Sequence, residues 1–182
     1  DLPSASAMLT TMMRDETARE GLPLPDTVSF NTVINGLAQS AEAAKAEALL
    51  VAMIDFGLAE PTSGTFATVV AAFARAHDPD RAEKWLNRML KETDVTTMDS
   101  TSEVVGFNAL LLAYANKSDA AGASRVLNAF SARAQEECPN AAPDEISYNT
   151  VISACAKAQQ PQMAVKAFDR MVRAGLTPSI IS

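Results

Sequence analysis

Three asparagines share one register. Asn31, Asn108 and Asn149 each follow an aromatic residue, Phe30, Phe107 or Tyr148, at the head of a stretch with helical periodicity. A carboxamide offers both donors and an acceptor, so an amide repeated at one register can address the hydrogen-bonding edge of a ligand. A single amide near a helix start equally serves to satisfy backbone groups there. Bond-making chemistry has no comparable basis. His77 is the one histidine, so neither a His-based triad nor a zinc site can be assembled, and there is no glycine-rich phosphate loop. Cys138 and Cys155 lack both metal-ligand spacing and the pattern of a disulfide framework; Cys155 reads as a core residue and Cys138 as a loop residue. These residues point to a binding or structural protein, not an enzyme, with no cofactor, no metal and no small-molecule substrate.

The elements that carry the asparagines recur. Phe30, Phe66, Phe107 and Tyr148 stand 36, 41 and 41 residues apart, the period at which one supersecondary unit is stacked on copies of itself. Apolar residues at helical spacing follow each aromatic, as in Phe30, Val33, Ile34, Leu37 and Ala38. A polar break comes next, at 40–41, 77–79, 117–118 and 159–161, with Pro79 and Pro161 suited to the first turn of a second helix. The second segments are again amphipathic: Ala46, Leu49, Leu50 and Met53, for instance, or Ala82, Trp85, Leu86 and Met89. Alanine columns at 38, 74, 115 and 156 and at 46, 82, 123 and 164 would let helix axes approach closely.

The spacing predicts an all-α chain, an α-solenoid of antiparallel helix-turn-helix repeats forming one array over 1–182. Four full repeats are expected at 27–62, 63–103, 104–144 and 145–179, with a partial helix in 1–26 and the start of a further repeat at 180–182. Residues 93–103 and 134–143 are polar or turn-rich and are expected to be loops. Gly57 and Gly175 fit left-handed helix ends. No apolar run approaches the roughly 18 residues that span a bilayer, so no membrane insertion is expected.

Charge patterning qualifies the choice of ligand. The formal net charge is -7, unfavourable for a polyanionic partner. The four first-helix segments, 28–39, 64–76, 105–117 and 146–158, nevertheless contain Arg75, Lys117 and Lys157 and no acid. Arg81, Lys84, Arg88 and Lys91 read as a solvated helix face.

The runs Val28-Ser29-Phe30-Asn31-Thr32-Val33-Ile34-Asn35-Gly36-Leu37 and Ile146-Ser147-Tyr148-Asn149-Thr150-Val151-Ile152-Ser153-Ala154-Cys155 resemble the first helices of pentatricopeptide repeats. The stretch 164–179, with Ala164, Phe168, Met171, Gly175 and Pro178 in family order, resembles the close of such a repeat. The early Trp and mid-helix Gly and Tyr of tetratricopeptide repeats do not recur. The resemblance implies a right-handed superhelix whose first helices line the concave face, and modular reading of single-stranded RNA at about one base per repeat.

Carried over residue by residue, it implies base reading by Asn31 with Thr62, Asn108 with Asp144, and Asn149 with Ser179. Val28, Val105, Ile146 and Ile181 match the aliphatic place that sandwiches the base. Asn with Asp implies uridine, Asn with Ser leans to cytidine, and Asn with Thr leans to a pyrimidine. The second repeat departs from the pattern: Ala67 has no polar group, Gly64 supplies no clamp, and Glu103 would set a negative charge near phosphate. The implied role is an RNA-binding module of a mitochondrial or chloroplast RNA-processing, stability or translation factor. The alternative is a scaffold or interaction subunit of an organellar protein or ribonucleoprotein complex, without sequence-specific reading.

Overall fold

The computed structural model describes residues 25–57, 59–92 and 99–177, which form eight α-helices and no strand. They are α1 (Thr27–Gln39), α2 (Ala43–Phe56), α3 (Ser63–Arg75), α4 (Pro79–Glu92), α5 (Ser100–Asn116), α6 (Ala120–Glu136), α7 (Glu145–Lys157) and α8 (Pro161–Arg173). The partial helix expected in 1–26 and the further repeat expected at 180–182 fall outside the described residues, apart from Pro25 and Asp26.

Each odd-numbered helix pairs with the even-numbered helix that follows it and packs on the next odd-numbered helix. Each even-numbered helix up to α6 also meets the next odd-numbered one, so hairpins stack in sequence order, as a one-dimensional array requires. The periodicity dictates which faces are buried. Phe30, Ile34, Phe66, Trp85, Leu110, Leu111 and Phe130 are buried in a single apolar cluster that runs through all four hairpins. Trp85 tilts against Phe66 with ring centroids 6.2 Å apart and donates its Nε1–H to Glu47 Oε1 at 2.8 Å.

The alanine columns are buried at 38, 74 and 115 and at 46, 82 and 123, whereas Ala156 is exposed and Ala164 half-buried. No described helix stacks on the far side of α7 and α8. Val165, Phe168 and Val172 of α8 are exposed.

The turn inside each hairpin is built identically. Ala41, His77, Ser118 and Gln159, each eleven residues after the aromatic, adopt φ between 54° and 60° without the freedom of glycine. Gly57 (φ 58°) and Gly175 (φ 77°) take the left-handed conformation expected of them. Pro79 and Pro161 open α4 and α8.

The structure corrects the two expected loops in part: 100–103 and 134–136 are helical, 137–143 is a connection as expected, and 93–98 lie outside the described residues. α5 begins at Ser100, capped by the Asp99 carboxylate on the amides of Thr101 and Ser102, so 100–103 is a helical turn. α6 continues to Glu136, and the connection that follows buries Cys138 and Ala141. The helices also extend beyond the acid-free windows: α5 includes Glu103 and α7 opens on exposed Glu145. The charge run on α4 is only partly solvated. Arg81 reaches Glu47 and lies 5.4 Å from the Phe73 ring centroid, while Arg88 bonds Glu92 and covers Trp85.

Candidate functional site

The candidate residues gather where one first helix meets the start of the next. Asp26, Thr62 and Asp144 each lie four residues before an aromatic and act as N-caps of α1, α3 and α7, each accepting from a backbone amide three residues on. An oxygen-bearing side chain is favoured there because the first-turn N–H groups have no intrahelical partner. Thr62 and Asp144 complete capping boxes with Thr65 and Ser147, each of which also accepts the N–H of its cap residue.

The stacking of α7 beside α5 carries this cap to Asn108. The Asn108 Nδ2 donates to Asp144 Oδ1 at 3.2 Å, and the buried Ser147 hydroxyl donates to Asn108 Oδ1 at 2.6 Å. Asn108 and Asp144, paired from sequence, are therefore in direct contact. At the first junction the link is indirect. Thr65 donates to Asn31 Oδ1 at 2.6 Å and lies 3.0 Å from the Thr62 hydroxyl, so Thr65 stands between the two residues paired from sequence. Asn149 is half-buried on α7, and Ser179 and Ile181 lie outside the described residues.

The aliphatic residues two places before the aromatics face solvent. Val28 is 70% exposed, Val105 47% and Ile146 63%, an arrangement in which apolar surface is left beside an oriented amide. A groove of about 290 Å³ between α5 and α7 is lined by Leu112, Ile146, Asn149, Thr150 and Lys157 among others. A second groove, of about 280 Å³, lies over α1, α3 and α5, where Gly64, Ala67, Arg75 and Val105 line it. The Arg75 guanidinium donates to the Ala38 carbonyl at 2.8 Å, and Lys117 and Lys157 are exposed at the ends of their helices.

The second repeat follows a different plan. Ala67 is buried, and Glu103, expected to set a negative charge near phosphate, lies in the core instead. It is fully buried and forms a salt bridge with Arg133 of α6 at 2.5 Å; Arg133 in turn meets Glu137. The extra turn of α5 is the physical reason. It moves the cap to Asp99 and leaves Glu103, four residues before Phe107, inside the helix and against the core.

Sequence reasoning passed over Thr65, Ser147 and Arg133. The spacing of Thr62 to Thr65 and of Asp144 to Ser147 signals a capping box, but the bond into the preceding repeat depends on helix stacking. Among the described residues there is no group of three or more His, Cys, Asp or Glu that could hold a metal, and no helix long and apolar enough to cross a membrane.

Stacked helical hairpins with an amide at two of the three junctions define a helical-repeat protein, and comparison with known proteins specifies which kind. The PPR repeat model matches residues 28–58 and 64–93, and the PPR repeat family model matches 143–182, together more than half of the chain. A pentatricopeptide repeat-containing protein of Arabidopsis thaliana is 32% identical over 126 residues, covering 69% of this chain and 20% of the relative. Another from the same plant, named as chloroplastic, is 27% identical over 149 residues, covering 81% of this chain and 18% of the relative. The crystal structure of the pentatricopeptide repeat protein PPR10 in complex with an 18-nt psaJ RNA element superposes on 98% of this chain and 26% of its own, at 22% identity and a TM-score of 0.67, and so shares the fold. The chain belongs to the pentatricopeptide repeat family. It spans about a fifth of the length of these curated relatives.

Proposed function

We propose that this array binds single-stranded RNA along the face of its first helices, reading about one base per repeat with Asn31, Asn108 and Asn149. The observation that carries the reading is the Asn108 amide held by Asp144 at 3.2 Å beside exposed Val105 and Ile146. An oriented amide can pair with a base edge, and apolar side chains on either side can enclose the base faces. Asn108 with Asp144 reads uridine in this proposal, Asn31 with Thr62 a pyrimidine, and Asn149 with Ser179 leans to cytidine. The second repeat reads nothing, since Ala67 is apolar and Glu103 is committed to Arg133. The RNA-bound state of PPR10 and the chloroplastic names of relatives support an organellar RNA-processing, stability or translation factor as the setting.

Attraction to phosphate rests on few cations, so binding should weaken steeply with salt. Selection from randomised single-stranded RNA at about 0.1 M salt, followed by sequencing, tests the reading. The expected result is enrichment of three specified pyrimidine positions, one separated from the other two by an unspecified position. Recovery of no enriched motif would contradict it.

A scaffold role in an organellar protein or ribonucleoprotein complex is the second reading. The non-reading second repeat and the net charge of -7 favour it. Copurification with a protein complex that survives nuclease treatment, without RNA enrichment, is its expected signature.

A further inference from the structure

We infer that the hydroxyl three residues into a first helix, Thr65 in α3 and Ser147 in α7, is a positioning residue that sets which edge of the preceding repeat's asparagine is presented to a base. The inference rests on the RNA reading proposed above and adds to it a residue from the neighbouring repeat.

Ser147 Oγ accepts the Asp144 N–H at 3.1 Å, and its one proton has two acceptors within reach, Asn108 Oδ1 at 2.6 Å and Asp144 Oδ1 at 2.9 Å, the shorter contact being to Asn108. The Asp144 carboxylate, an acceptor only, takes a proton from Asn108 Nδ2. Turning the amide over would set its carbonyl oxygen against that carboxylate with no proton between them, and would forfeit the short bond from the Ser147 hydroxyl to Asn108 Oδ1. Carboxylate and hydroxyl therefore favour the same orientation. At the first junction the cap is Thr62, which carries no charge, and Thr65 makes the same bond: its oxygen accepts the Thr62 N–H at 3.1 Å and its proton goes to Asn31 Oδ1 at 2.6 Å. Thr65 is 2% exposed and Ser147 0%, so water does not compete readily for either hydroxyl.

The middle junction lacks all three parts. Where an asparagine would stand there is Ala67, where the cap would stand there is Glu103, and three residues on, in the hydroxyl's place, is Gly106. A Cβ on Gly106 would come within 2.9 Å of Leu86 Cδ1, so that place is packed against α4. Asparagine and hydroxyl meet at two junctions; at the third, which has no asparagine, the cap and its hydroxyl are Asp99 and Ser102, one turn earlier and away from the preceding repeat's register.

The consequence is for discrimination between pyrimidines. Uracil presents an acceptor, O4, where cytosine presents an amine donor. An amide with its oxygen bonded to Ser147 and one N–H bonded to Asp144 keeps its second N–H for a base acceptor, which favours uracil. An amide free to turn would serve both bases.

The test uses the whole chain in three forms, unaltered, Ser147→Ala and Ser147→Thr. Each is titrated with two single-stranded oligonucleotides that differ by uridine or cytidine at the position assigned to Asn108, and proton exchange of the Asn108 side-chain amide is followed by NMR without RNA. The expected result is a loss of about three- to tenfold in uridine preference for Ser147→Ala, with faster amide exchange, and retention of both by Ser147→Thr. Unchanged preference in Ser147→Ala would overturn the inference while leaving RNA reading intact. Absence of RNA binding by the unaltered chain would overturn the reading itself. Faster amide exchange in Ser147→Ala would then reduce the hydroxyl to a structural role, and the inference would fail with the reading.

Discussion

Glu103 of α5 and Arg133 of α6 form a salt bridge at 2.5 Å in which the carboxylate is fully buried. Removing one partner leaves the other charge buried without compensation. Glu103→Ala or Arg133→Met should therefore lower stability by about 3 to 5 kcal/mol, measured by urea denaturation. The paired change Glu103→Met with Arg133→Met should recover most of that loss. A paired loss equal to the sum of the two single losses would show that the pair is not coupled.

Trp85 joins two neighbouring hairpins, packing on Phe66 in its own and bonding Glu47 in the preceding one. Trp85→Ala should cost about 3 to 5 kcal/mol. Trp85→Phe, which keeps one aromatic ring but loses the indole N–H and part of the buried volume, should cost clearly less. Thermal unfolding of the two variants side by side separates packing from hydrogen bonding.

The left-handed residue in each hairpin turn offers a change of the opposite sign. Ala41, exposed at φ 60°, carries a Cβ that this conformation disfavours. Ala41→Gly should stabilise the chain by about 1 kcal/mol, read as a rise in melting temperature. Gly57→Ala, at φ 58° with open space around it, should destabilise through backbone strain alone.

Most of this architecture is legible in the sequence because it repeats: aromatic, helix, polar turn and second helix recur at a nearly constant interval, and the left-handed turn residue falls at a constant distance from each aromatic. The residues that break the period were the ones misread. The stretch Asp99-Ser100-Thr101-Ser102-Glu103 is polar enough to look like a loop, yet it is a cap followed by one added helical turn. The partner of Glu103 lies thirty residues away, and no local pattern announces it. Within the candidate site, Asn108 and Asp144, paired through the family resemblance, lie in hydrogen-bonding contact. Ser147 and Thr65 were missed because a hydroxyl near a helix start signals its own cap and says nothing about the helix stacked beside it.

On the second-helix side, Tyr114 donates to Glu83 at 2.5 Å, and Arg125 binds the same carboxylate at 2.6 and 2.9 Å. Burial and the neighbouring Glu83 carboxylate push the Tyr114 phenol up to about 12, from an ordinary value of 10.0. The folded chain therefore holds the proton that the unfolded chain releases, so stability should fall as pH rises from about 10 to about 12. Tyr114→Phe should flatten that part of the curve. Glu83 shifts the other way: hydrogen bonding from Arg125 holds its carboxyl below the usual range. Its contribution is present at neutral pH and should be lost on acidification below about 4.5.

Base reading through the asparagine register is the central claim, and Asn108 is its best-defined member. The most direct measurement compares the affinity of the unaltered chain and of Asn108→Ala for a single-stranded oligonucleotide carrying the selected motif, at about 0.1 M salt. Asn108→Ala keeps the helix and removes only the amide. The account expects it to weaken binding about three- to tenfold and to abolish the preference for uridine over cytidine at that position. Unchanged affinity with unchanged uridine preference would contradict the account.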